Sequence, residues 1–240
     1  MCDSIELREI GGMNPGIKKS NGKKFIIGGI VMSIAVLLFF AGTRTEEPVS
    51  QQRELYFPWR IEVRPDGLSR VFGITLGKST LEDAQRIFRD TGDIKMFVSP
   101  ENQIALEVFF KSVNLNGIRG KFVLGLSSGE ETMKAMLERG MRVKSMIDGT
   151  RKVTLHPEDL AQLRYVSVTA ITYLPSADLE EGVIAQRFGE PEKRIPEQEQ
   201  AGIVHWFYPH LGLDIVLNGN GKDIFQYVAP REFDRLRKGF

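Results

Sequence analysis

Phe25 to Gly42 reads FIIGGIVMSIAVLLFFAG, eighteen residues without a charged side chain, closed by Lys23-Lys24 before and Arg44 after. No other feature restricts the chain as much. As a helix this run would be about 27 Å long, close to the thickness of a bilayer's hydrocarbon core. A buried core helix would show a polar face, and a cleaved signal peptide would be shorter and end in a small-x-small site, whereas Phe39 stands three residues before a cut after Ala41. The sequence therefore predicts an uncleaved transmembrane helix over residues 25–42. Phe25, Ile26, Ile27, Leu37, Leu38, Phe39 and Phe40 are its membrane-anchor residues, and the bilayer is a partner through that segment.

Charge sets the expected orientation. Arg8, Lys18, Lys19, Lys23 and Lys24 precede the run, whereas only Arg44 and Arg53 follow closely, beside Glu46 and Glu47. The positive-inside rule then predicts a single-pass topology with a cytoplasmic tail at 1–24 and everything from about Thr43 onward exported. Cys2 has only Met1 before it, so attachment of lipid through the export route is not expected and the thiol reads as a bystander.

Composition narrows the function classes. With 32 basic and 31 acidic residues, the chain is neither a broadly basic nucleic-acid binder nor an acidic disordered segment. One cysteine excludes an intramolecular disulfide framework and a Cys-rich zinc site, and three histidines leave few other ligands.

Beyond a polar linker at 43–54, containing Pro48, two stretches share one grammar. In the first, Ser79 and Glu82 have capping-box spacing ahead of a helix carrying Leu81, Ala84, Ile87 and Phe88; strands at 104–110 and 120–126 follow, joined through an Asn116-Gly117 turn. A helix over 130–139, closed by Gly140, comes next, and Val166, Val168 and Ala170 alternate in a strand at 165–173. In the second, a helix carrying Leu179, Val183, Ile184 and Phe188 precedes strands at 202–208, 213–217 and 223–228, with the turn at Asn218-Gly219-Asn220-Gly221. The expected fold class is α+β: the transmembrane helix, then two related helix-plus-antiparallel-hairpin units at 55–150 and 151–230, then a basic tail at 231–240.

The run LEEGVIAQRFGEPEKR…GIVHWFYPHLGLDIVLNGNGKDIFQYV resembles the small domain of the BamE/SmpA outer-membrane assembly lipoproteins and the related beta-lactamase-inhibitor-like units. The matching positions are Gly189 and Pro191, Trp206 and Tyr208, and Gly219 to Gly221. The likeness is best over 174–228 and loose over 72–126, where Pro after Gly92 and the Trp are missing. It implies a non-catalytic domain that binds other envelope proteins.

Several constellations compete with that reading. Gly125-Leu126-Ser127-Ser128-Gly129 fits the G-x-S-x-G nucleophile elbow, with Asp178 and His205 in the required later order, but Ser127 or Ser128 capping a helix ahead of Glu130 and Glu131 explains the same letters. His205 and His210 differ by an odd number on a strand, and with Asp214 they fall short of a convergent zinc set. His156-Pro157-Glu158-Asp159 reads as a helix start, and Asn218 to Lys222 as a turn without a phosphate-binding motif behind it. Glu130-Glu131 and Glu180-Glu181 read as helix first turns and not as a glycosidase pair.

Trp206, Tyr208, Phe225 and Tyr227 line one strand face each and read either as core or as a partner-binding platform. Arg231, Arg235, Arg237 and Lys238, beside Glu232 and Asp234, read as a solvated end or a contact for anionic headgroups. Together with the resemblance, the anchor leads to the expectation of a single-pass inner-membrane protein of a Gram-negative-type cell with its C-terminal domain in the periplasm, a membrane-anchored scaffold or accessory subunit that binds other envelope proteins in assembly or transport. No catalytic residue, metal or cofactor is expected, nucleic acid is not a partner, and a homo-oligomer is compatible. The alternatives are a periplasmic lipid-binding carrier and a serine hydrolase using Ser127.

Overall fold

The computed structural model describes residues 55–197, 201–219 and 221–237. The expected tail (1–24), span (25–42), linker (43–54) and last residues of the basic tail (238–240) lie outside them. The chain divides into two units, Met1–Glu47 and Pro48–Phe240, and all described residues belong to the second.

Among the described residues no helix is long and apolar enough to cross a membrane. The longest is Glu130–Glu138, whose nine residues reach only about 14 Å. This corrects the expectation of a single-pass inner-membrane protein with a periplasmic domain: the segment that carried it is not described, and no described element takes its place.

The fold class is corrected as well. Strands dominate, and in place of two related helix-plus-hairpin units there is one ten-stranded antiparallel sheet beside a small three-stranded one. The small sheet is β1 (Glu62–Val63), β2 (Ser69–Val71) and β3 (Ile74–Thr75). Helix α1 (Leu81–Phe88) follows, then the meander β4 (Asp93–Val98), β5 (Ile104–Leu115) and β6 (Ile118–Ser127). Helix α2 (Glu130–Glu138) leads into the hairpin β7 (Arg142–Ser145) and β8 (Arg151–Thr154), then α3 (Pro157–Leu163) and β9 (Ser167–Pro175). Helix α4 (Glu181–Phe188) precedes a second meander of β10 (Lys193–Pro196), β11 (Ile203–Tyr208), β12 (Leu213–Asn218) and β13 (Ile224–Val228), and α5 (Asp234–Arg237) ends the described chain.

In the large sheet the order is β10-β11-β12-β13-β9-β6-β5-β4-β8-β7. The physical reason for one sheet instead of two is β9, which pairs with β6 from Gly120↔Pro175 to Ser127↔Ser167 and with β13 from Phe225↔Tyr173 to Val228↔Ala170. Left as separate units, β6 and β13 would each expose a row of unpaired backbone groups, and β9 satisfies both.

One face of the sheet carries the core. Val108, Phe110, Phe122, Leu124, Ile171, Tyr173, Ile215, Phe225 and Tyr227 are buried there with Leu81, Ala84 and Phe88 of α1, Ile184 and Phe188 of α4, and Ile74 of the small sheet. Phe72, between β2 and β3, is fully buried and meets Phe122, Tyr173 and Tyr227 with ring centroids 5.0, 5.2 and 5.5 Å away. On the opposite face Phe207, Val228 and Phe233 form a second, smaller cluster with Leu236 of α5 packed on it.

Candidate functional site

The four aromatic residues expected to carry a partner are turned inward. Trp206 is 4% exposed, and Tyr208, Phe225 and Tyr227 are at most 1% exposed. Two of them tie the sheet to loops: the Tyr208 hydroxyl donates to the Gly189 carbonyl at 3.0 Å and the Tyr227 hydroxyl to that of Pro58 at 3.1 Å. Burial, with the neighbouring Glu190 charge, pushes the Tyr208 phenol up to about 12, so it stays a donor. Arg194 closes over Trp206, its guanidinium 4.5 Å from the ring centre. A partner meeting β10–β13 would reach other atoms than these rings.

The residues of the hydrolase reading are scattered. Ser127 ends β6 and faces Ser167, Asp178 pairs with Lys222 at 2.6 Å, and His205 lies on β11, four strand positions from β6 in the sheet order. Four spacings amount to roughly 19 Å, beyond any hydrogen bond. Neither Ser127 nor Ser128 caps α2, whose N-cap is Gly129 without a side-chain bond. His156 caps α3 instead, its Nδ1 accepting from the Glu158 N–H at 3.4 Å with Pro157 at the first helical position. His210 stands in the short turn Pro209–Leu211.

His205 has a different role. Its Nδ1 is 2.8 Å from Asp214 Oδ2 and its Nε2 is 3.2 Å from Glu197 Oε2, a carboxylate–imidazole–carboxylate line across the β10–β12 end of the sheet. Burial by itself would lower the imidazole's pKa, but the hydrogen bonds and charges of Asp214 and then Glu197 outweigh it, and the net shift is upward. Burial likewise raises the Asp214 carboxyl, with His205 opposing it in part. An imidazolium donating from both nitrogens suits this geometry. It is a clasp between strands. Among the described residues no three His, Cys, Asp or Glu side chains are grouped to hold a metal ion.

No family model, curated protein or solved structure matches the chain. The likeness to the BamE/SmpA domains therefore stands on its motif residues alone.

The surface points to the far end of the sheet. Of the large apolar side chains left exposed, four belong to one hairpin: Met141 at 57%, Val143 at 53%, Met146 at 45% and Ile147 fully open. They lie along β7 and the turn into β8, and all four residues of β7 are exposed. β7 is the last strand of the sheet, paired only with β8, from Arg142↔Thr154 to Ser145↔Arg151. The hairpin is held at its root by Arg139, whose guanidinium reaches the buried Asp159 on α3 at 2.5 Å, and at its tip by Asp148, which accepts from the Thr150 N–H and hydroxyl at 3.0 and 3.1 Å. The other end of the sheet is blunted: β10, four residues long like β7, ends in Pro196 and has Arg194 folded onto Trp206.

Sequence reasoning passed over this hairpin because MRVKSMIDGTRKV has only weak alternation. The available signal was the Asp148-Gly149 turn between two β-capable runs. The C-terminal cations Arg231, Arg235 and Arg237 are in ion pairs with Glu232 or Asp234 at 3.4–3.8 Å on the surface.

Proposed function

We propose that this protein is a non-catalytic scaffold or accessory subunit that binds another protein, and that the β7 edge of its large sheet is the docking element. The observation carrying this reading is the open end strand with Met141, Val143, Met146 and Ile147 exposed beside it. Exposed edges invite strand pairing, and monomeric chains usually blunt them; four large apolar side chains left exposed on one hairpin support an interaction role for it. The helix-then-meander order at 174–228, which carries the resemblance to the BamE/SmpA units, supports a binding role as well.

The test is site-specific photocrosslinking in the native cell with p-benzoylphenylalanine at Val143, and at the exposed Lys121 on β6 as control. The reading expects an adduct to one identifiable protein from position 143 only, lost when Arg142→Glu and Lys144→Glu are combined with it. Equal adducts from both positions, or none from 143, would overturn it.

A further inference from the structure

The charge and backbone pattern of β7 say what kind of partner the edge takes. The Met146 N–H donates to the Thr150 carbonyl at 2.8 Å. That pair being hydrogen-bonded, alternation makes Lys144/Lys152 a hydrogen-bonded pair too, and turns the N–H and C=O of Val143 and Ser145 toward the free edge, while at the hairpin root the Thr154 carbonyl accepts from the Met141 N–H at 2.9 Å. The edge therefore offers two donors and two acceptors to an added strand.

Side chains alternate in the same register. Arg142 and Lys144 leave one face, and Val143 leaves the other, where it lies opposite the buried Val153. Lys144 and Lys152 stand directly opposite each other, a like-charge pair that destabilises a ladder. Among the described residues no carboxylate lies within ion-pair reach of Arg142, Lys144 or Lys152, while Arg151 is held by the Asn102 side chain at 3.0 Å. Residues 141–152 hold four cations and one acid in a chain whose total is 32 against 31. A second copy of β7 would set these cations against each other.

We infer that β7 accepts an extended peptide strand with acidic and apolar residues in alternation, the acids opposite Arg142 and Lys144 and an apolar side chain beside Val143. This rests on the binding role proposed above and names the chemistry of its partner. Main-chain bonds would supply the docking and alternate side chains the selection.

The probe is a capped, fluorescently labelled peptide of alternating Glu and Val, titrated into the full chain and read by anisotropy. Comparison peptides have the same composition with the acids in one block, or N-methyl groups on the residues that would bond the edge. The alternating peptide should bind at least about 10-fold more tightly than either, and Lys144→Glu, checked for an unchanged circular dichroism spectrum, should weaken it by a similar factor.

Equal binding of the three peptides would reduce the effect to bulk charge and overturn the inference. So would binding to phosphatidylglycerol vesicles with no binding of the peptide. If crosslinking at Val143 still captures one protein, the docking edge stands and only its partner chemistry falls; if both fail, both readings fall.

Discussion

His205 is held between two carboxylates, and at this scale the consequence is a pH dependence with a definite sign. Its folded-state pKa is raised above the ordinary 6.5. The stabilisation it brings is therefore complete below about pH 6.5 and disappears as pH rises through the elevated value. Asp214 behaves alike at lower pH, since its carboxyl is also raised and folding favours its protonated form. The urea midpoint should fall between neutral and alkaline pH in the parent chain, and Asp214→Asn should flatten that decline. An equal slope in the two proteins would exclude the clasp. Phe72 shows how little of such detail is local: its φ is +53°, a conformation bulky residues avoid, followed by Gly73 at +79°. The pair makes the positive-φ turn between β2 and β3 that sequence reasoning expects of Asn-Gly. Burying the ring among Phe122, Tyr173 and Tyr227 offsets the backbone cost.

Elements are where periodicity and caps speak most directly. The helix read around Leu81, Ala84 and Phe88 is present with those residues buried, but its cap is one residue later than Ser79–Glu82 suggested. Thr80 accepts from the Asp83 N–H at 3.2 Å and Asp83 accepts from the Thr80 N–H at 3.0 Å, while Ser79 accepts instead from the Thr75 N–H at 3.0 Å. Thr80→Ala should cost about 1 kcal/mol of unfolding free energy, measured by chemical denaturation; no change would mean the box contributes nothing. In β9 the expected alternation breaks. Gly125 faces Ala170 and Leu126 faces Val168, so Thr169 is an extra residue and the buried set becomes Val168, Ile171 and Tyr173. A bulge of this kind depends on the partner strand, so the alternation of Val166, Val168 and Ala170 could not disclose it. The hairpins at Asn116-Gly117 and between β12 and β13 are legible because turn chemistry is written in adjacent residues.

For the whole molecule the ten-stranded sheet predicts one cooperative unit where the chain's grammar suggested two. The ladder between β6 and β9 joins residues on both sides of the expected 150/151 boundary. Fragments 55–150 and 151–230, each expressed alone, should lack a cooperative thermal transition, and mixing them should restore one; two independently folding fragments would contradict this. The amino-acid sequence by itself determined the local pieces: the helices before the meanders, the hairpin turns, and a composition without a broadly basic or cysteine-rich character. Those follow from period, caps and turn residues, which act over a few positions along the chain. Tertiary structure alone decided that Trp206, Tyr208, Phe225 and Tyr227 face the core, that Ser127 and His205 lie apart, that Glu197, His205 and Asp214 meet, and that β7 is left open at the end. Each depends on strand order and register between segments tens of residues apart, and a slip of one residue would turn every side chain to the other face.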